Sequence, residues 1–287
     1  MQPSLFQGNV VNSNRILYTP SEFAKNNLVH LQEIGKLHAI QPHTSSRSGL
    51  VSYLFFIVTE GSGSLTYAGS TYELHKGSCV FIDCQIPYSH CSSNDLWSLK
   101  WAHFYGPTMN GIYRKYTERG GRPCFLTSYI REYDRILDTL YEIAASESYI
   151  KDMKINEQFA SILSLLMEES WSTAKSDHKN PAGKRSLQDI KEYIDMHFSE
   201  RITLDDLTGR FFINKYYLTR IFKEQFGISV NTYILQQRIT HAKHLLRFSE
   251  LSIEEIGIRC GIQDPNYFSR IFKKVEGLTP GEYRKQW

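Results

Sequence analysis

Two stretches of the chain carry the same alternation of apolar and polar positions. One begins at Asn214 and reads NKYYLTRIFKEQFGISVNTYI; the other begins at Asp264 and reads DPNYFSRIFKKVEGLTPGEYR. Leu218, Ile221 and Phe222 in the first, and Phe268, Ile271 and Phe272 in the second, recur at helical spacing. They predict one core-facing stripe per copy. The opposite face carries Lys215, Tyr216, Thr219, Arg220 and Lys223 in the first copy, and Asn266, Ser269, Arg270, Lys273 and Lys274 in the second. Asn214 and Asp264 are good N-caps, because a short side-chain oxygen takes an orphan amide of the first turn. Pro265 suits the first helical position. Gly227 and Gly277 end the helices, since glycine enters the left-handed conformation cheaply. New helices then start at Ser229 and at the capping box Thr279 to Glu282.

A shorter helix precedes each copy. Thr203 with Asp206, and Ser252 with Glu255, form matching capping boxes at an offset of 49 against 50 for the longer stretches. Short helix, tight turn, then a second helix with a basic polar face predicts a helix-turn-helix. A further helix at 187–198 opens this half. The helix from Ser229 to about Phe248 bridges the two units through Tyr233, Ile239, Ala242 and Leu246. A structural helical hairpin or a short solenoid is the competing architecture, but two copies are too few for a solenoid.

The first half alternates differently. Residues 1–20 lack periodicity and read as an arm. Residues 28–105 read as short strands: 50–58, a hairpin of 64–67 with 71–74, then 79–83 and 96–105. This predicts a small antiparallel barrel or sandwich. Residues 129–171 turn helical, with Ile130, Tyr133, Ile136, Leu137, Leu140 and Ile143, and then Phe159, Ile162, Leu163, Leu165 and Leu166, on apolar stripes. These stripes fit packing on the barrel, and the family resemblance given below implies a dimer interface as their other use. Residues 172–185, STAKSDHKNPAGKR, read as a flexible linker.

Composition sharpens the division. The 287 residues suggest two domains. The net charge of +3 is unevenly spread: residues 184–287 hold 17 Lys+Arg against 13 Asp+Glu, and the rest of the chain 16 against 17. The basic excess lies with the repeat, as phosphate binding requires. Five cysteines without a CxxC pair suggest reduced thiols and a cytoplasmic protein. No signal peptide and no membrane span are expected.

The double helix-turn-helix, and above all DPNYFSRIFKK followed by TPGEYR, resembles the AraC/XylS family of bacterial transcription regulators over roughly residues 186–287. EGSGSLTYAGSTYELHKGSCVFIDCQIPYSH is similar to a cupin barrel. WSLKWAHFYGP is similar to the sensor domain that the family places before its DNA-binding half. The resemblance implies an α+β multidomain chain. A cupin-like effector domain with an N-terminal arm would occupy 1–128, a helical dimerisation or packing segment 129–171, a linker 172–185, and a DNA-binding domain 186–287.

By position, the resemblance makes Tyr216, Thr219, Arg220, Asn266, Ser269 and Arg270 base-facing, and Lys215, Lys223 and Lys273 phosphate-facing. Arginine pairs bidentately with guanine and asparagine with adenine, whereas phosphate contacts position without specifying. A salt bridge inside the domain is the competing role for Arg220 and Arg270. In the barrel, Arg47 and Trp101 match sugar-contacting positions of the family's arabinose-sensing member. His90 is the one histidine matching a cupin ligand. Strand alternation puts Leu99, Trp101 and His103 on one face. Leu99 and Cys91 stand where polar groups belong in that member, which argues against arabinose itself. Trp101 also suits simple core packing. The strand SYLFFIVTEG lacks the histidines of metal-bearing cupins, and one imidazole does not make a metal site. No metal, cofactor or catalysis is expected. The implied function is a DNA-binding regulator, an activator with a small-molecule effector of the sugar class, with double-stranded DNA, RNA polymerase and a second copy as partners. The alternatives are a ligand-independent regulator whose barrel only dimerises, and a cupin enzyme with a DNA-binding appendage.

Overall fold

The computed structural model describes residues 10–176 and 181–286. The chain divides into two compact units, Met1–His178 and Lys179–Trp287.

The first unit is built on two antiparallel sheets. The strands are β1 (Val11–Leu17), β2 (His30–Ala39), β3 (Thr44–Arg47), β4 (Tyr53–Glu60), β5 (Ser62–Tyr67), β6 (Ser70–His75), β7 (Ser78–Asp83), β8 (Tyr88–Ser92), β9 (Ser98–Tyr105) and β10 (Cys124–Leu126). Six of them pair in the order β1-β2-β9-β4-β7-β10, and four in the order β3-β8-β5-β6. A short helix α1 (Glu22–Asn27) joins β1 to β2, and α2 (Met109–Glu118) follows β9. Helices α3 (Ile130–Ala145) and α4 (Lys151–Ser176) complete the unit.

The central strands are buried on both faces, so they read as continuous apolar runs rather than as alternating ones. Along β4, Leu54, Phe56 and Val58 enter the core between the sheets, whereas Tyr53, Phe55 and Ile57 enter a second core beneath the helices. The helix stripes fill that second core: Tyr133, Ile136, Leu137 and Leu140 of α3, and Phe159, Ile162, Leu163 and Leu166 of α4, are buried against it. Phe104 stacks on Phe159 at 4.4 Å and on Phe81 at 6.2 Å. Of the two uses open to these stripes, packing on the barrel is the one observed.

Two expectations need correction. Residues 11–17 are not a free arm: β1 pairs with β2 in register from Val11↔Ala39 to Leu17↔Glu33. An edge strand with only one face covered tolerates VNSNRIL, which hides its periodicity. Residues 1–9 of the expected arm lie outside the described residues. The expected linker at 172–185 is also largely helical, because α4 runs to Ser176 and α5 (Pro181–His197) begins at Pro181. Proline at a first helical position starts a helix rather than ending one. Residues 177–180 of that linker lie outside the described residues.

The second unit continues with α6 (Leu204–Phe211), α7 (Lys215–Phe226), α8 (Val230–Phe248), α9 (Ile253–Arg259), α10 (Pro265–Glu276) and α11 (Pro280–Gln286). The caps fall where the residue types put them. Asn214 accepts from the amides of Tyr216 and Tyr217, and Asp264 from those of Asn266 and Tyr267. All three capping boxes close, and Gly227 and Gly277 take φ of 75° and 81°. Each helix-turn-helix has its own core. Helix α8 serves both, giving Val230, Tyr233 and Ile234 to the first and Ile239, Ala242 and Leu246 to the second.

Because the two units have separate cores, damage to one should stay local. Phe104→Ala removes a fully buried ring and is expected to destabilise the first unit by about 3–5 kcal/mol. Hydrogen exchange should show faster opening across β4, β7 and β9 and unchanged protection in α7 and α10. Equal loss in both units would contradict the two-core description.

Candidate effector pocket and nucleic-acid interface

Two groups of side chains stand out, one in each unit. In the first unit, the strands leave a cavity between the two sheets of about 450 Å³, its open mouth included. Arg47 of β3, His90 of β8, and Leu99, Trp101 and His103 of β9 all line it. Alternation explains the last three, since Lys100 and Ala102 point the other way. Lys100 leaves the cavity behind and binds Asp134 and Asp138 of α3 at 2.6 and 2.9 Å. Burial works against the Lys100 ammonium, yet the two carboxylates outweigh it and raise its pKa.

Trp101 is held by what surrounds it. It sits opposite Gly35 of β2 in the strand register. A Cβ at Gly35 would stand 2.4 Å from the indole Cη2 and 2.8 Å from the Asn14 carbonyl oxygen. Glycine is therefore required there, and the ring lies in the gap that it leaves. The Arg15 guanidinium rests over the indole at 5.6 Å and pairs with Glu33 at 3.4 Å. Arg15 and Glu33 also line the cavity. Sequence reading missed both, because they arrive through the long-range register of β1, β2 and β9. Cys91 is absent from the lining, on the face of β8 opposite His90.

The cavity's imidazoles are neutral. Burial pushes His90 down to about 3, with the nearby His43, Arg47 and His103 adding to it. Burial also pushes His103 down to about 4, with Arg47 adding to it. His103 Nδ1 lies 3.0 Å from Ser52 Oγ, and Ser52 donates its own hydrogen to the Tyr53 carbonyl. Each neutral imidazole keeps one ring nitrogen that donates and one that accepts. His90 Nδ1 is buried without a hydrogen-bond partner. The Arg47 guanidinium makes no salt bridge or side-chain hydrogen bond among the described residues. No cluster of three His, Cys, Asp or Glu side chains suited to a metal occurs among the described residues.

In the second unit, α7 and α10 each follow a short helix and a tight turn. Lys215, Tyr216, Thr219, Arg220 and Lys223 are exposed on α7; Asn266, Arg270 and Lys273 are exposed on α10, with Ser269 half-buried. Tyr216 is 86% exposed, a position that no packing argument explains. Lys215 pairs with Asp205 of α6 at 2.8 Å, and Arg220 approaches Glu224 at 3.9 Å. Both pairs are solvent-facing and worth little, so a phosphate or base can displace them. Arg270 makes no salt bridge among the described residues; its guanidinium lies over the Tyr267 ring at 5.6 Å. Arg220 lies over Tyr217 in the same way, at 5.8 Å. The Tyr-x-x-Arg spacing common to both copies was the signal for this support, and it passed as simple repeat identity. Two further arginines also went unread. Arg238 of α8 donates to the carbonyls of Phe198 and Glu200, and Arg284 of α11 donates to those of Leu246 and Leu251. They clamp loops rather than face solvent.

Known proteins match both halves. The model of an AraC-like ligand binding domain matches residues 32–180, and that of a helix-turn-helix domain matches residues 207–286. The Msm operon regulatory protein of Streptococcus mutans is 22% identical over 236 residues, covering 82% of this chain and 84% of that protein. The HTH-type transcriptional activator RhaR of Yersinia pestis is 26% identical over 250 residues, covering 80% of this chain and 81% of its own. Among solved structures, the C-terminal domain of the response regulator yesN from Fusobacterium nucleatum is 37% identical over 34% of this chain and 95% of that one, with a TM-score of 0.33. A ligand-binding barrel joined to a double helix-turn-helix defines a DNA-binding transcriptional regulator, not an enzyme. The chain belongs to the AraC family. No helix among the described residues is long and apolar enough to cross a membrane.

The neutral imidazoles set a pH dependence. In the unfolded chain a histidine charges below about 6.5, while His90 and His103 resist until about 3 and 4. The unfolded state therefore binds more protons in that window, and stability falls as pH drops from about 6.5 toward 4. The melting temperature should fall less steeply in a His90→Gln/His103→Gln double variant than in the parent. Identical slopes would show that these residues do not carry the effect.

Proposed function

We propose that this regulator is an activator switched by a small hydroxylated effector of the sugar class bound between the two sheets of the barrel. The supporting observation is the convergence of Arg47, His90, Leu99, Trp101 and His103, from three strands, on one cavity. An indole offers an apolar ring face, and a guanidinium and imidazoles offer hydrogen bonds, a combination suited to a polyol with a C–H face. The relative RhaR is named a transcriptional activator, which fits the activator part of this reading. In it the protein acts in the cytoplasm as a homodimer that contacts RNA polymerase. Effector binding acts through β9, whose other face is tied to α3 by Lys100.

On DNA, α7 and α10 enter successive major-groove segments about 34 Å apart. Tyr216, Thr219, Arg220, Asn266, Ser269 and Arg270 face bases, and Lys215, Lys223 and Lys273 face phosphates. Arg220→Ala and Arg270→Ala should each cost about 1–3 kcal/mol on the specific operator and far less on random duplex, measured by fluorescence anisotropy. Equal losses on both DNAs would mean that these arginines touch phosphate only. Operator affinity and promoter output should respond to at least one member of a broad panel of neutral and acidic sugars. No response across the panel would refute the sugar switch.

A further inference from the structure

The charge of the cavity narrows the effector class further, and this step rests on the effector reading above. Three charged side chains line the cavity: Arg15, Glu33 and Arg47. The first two pair with each other at 3.4 Å, and Arg15 is further committed to the Trp101 ring. Their charges cancel. Arg47 is left, on β3 and beside Tyr88 of β8 in the register. It has no carboxylate within salt-bridge distance among the described residues. Neither lining histidine adds a charge, for the reasons given above. The cavity therefore holds one positive charge without a counter-ion.

A half-buried guanidinium offers a fork of donors that matches a carboxylate in two parallel hydrogen bonds. A neutral polyol can accept from the same donors but brings no charge to balance them. The rest of the lining calls for hydroxyl groups. His103, beside Ser52 through Nδ1, keeps a second ring nitrogen that can bond a hydroxyl in either sense. His90 Nδ1 is a buried polar atom without a partner, the kind of group that a ligand satisfies on binding. Trp101, fixed by Gly35 on one side and Arg15 on the other, supplies an apolar wall. We infer that the effector is a hydroxylated monocarboxylate, a sugar acid such as a hexuronate or an aldonate, with its carboxylate on Arg47 and a hydroxyl on His103.

The test titrates the full-length protein by calorimetry with D-galacturonate, D-glucuronate and D-gluconate, with the parent neutral hexoses, and with propionate as a carboxylate lacking hydroxyls. At least one sugar acid should bind about tenfold or more tightly than its neutral parent and than propionate. Arg47→Gln should erase the preference for acid over parent, and Arg47→Lys should restore part of it. A melt of each variant without ligand checks that it is folded. A neutral hexose binding as well as its acid, or an acid preference surviving Arg47→Gln, overturns the inference and leaves the sugar-class reading standing. Propionate binding as tightly as the acids overturns the hydroxyl requirement. Failure of every sugar and sugar acid, with the protein folded, overturns both this inference and the sugar-class reading.

Discussion

The burial of one sheet on both of its faces is the constraint on which the sensor unit depends. Strand β9 lies between β2 and β4 and has no solvent face to relax into. Leu99 and Trp101 belong to the core between the sheets; Ala102 and Phe104 belong to the core under α3 and α4. Interiors this close-packed transmit displacement rather than absorb it. Trp101 faces the cavity on the same strand whose other face α3 grips through Lys100. The glycine at 35 serves the same arrangement, because any side chain there would push the indole off its seat.

The DNA-binding unit rests on a different economy. Each helix-turn-helix is too small for a large core, so local signals contribute much of its definition. Side-chain caps start α6, α7, α8, α9 and α10, and left-handed glycines stop α7 and α10. Each cap is worth about 1 kcal/mol. Arg238 and Arg284 then satisfy carbonyls that the helix ends would leave open. With the inner faces and ends so occupied, the outer faces of α7 and α10 carry residues that the fold itself does not need. Tyr216 and Asn266 are examples.

This difference explains which parts were legible in the residues alone. Helix caps and stops are local, so Asn214, Asp264, Gly227 and Gly277 could be read directly and the two units followed. Alternation along β9 is also local, and it placed Leu99, Trp101 and His103 on one face. What escaped was settled by distant pairing. VNSNRIL at β1 and TSSR at β3 have little apolar signal of their own and become strands only against β2 and β8. Arg15 and Glu33 reach the cavity through that pairing. The polar run at 172–185 looked like a linker because its composition is that of one, yet helix covers 172–176 and 181–185.

Helix α8 has a consequence for how such a regulator can diverge. It is shared by two cores and runs 19 residues, about 28 Å at 1.5 Å per residue. Inserting a single residue between Ile234 and Ile239 would turn α10 by about 100° relative to α7, since each residue advances the helix by that angle. Substitutions on the outer faces can therefore drift one at a time, each tolerated by an intact scaffold. The interval between the two faces cannot drift, because no small step separates one working length from the next. Descendants of this chain are free to change what each face prefers while inheriting a fixed distance between the two.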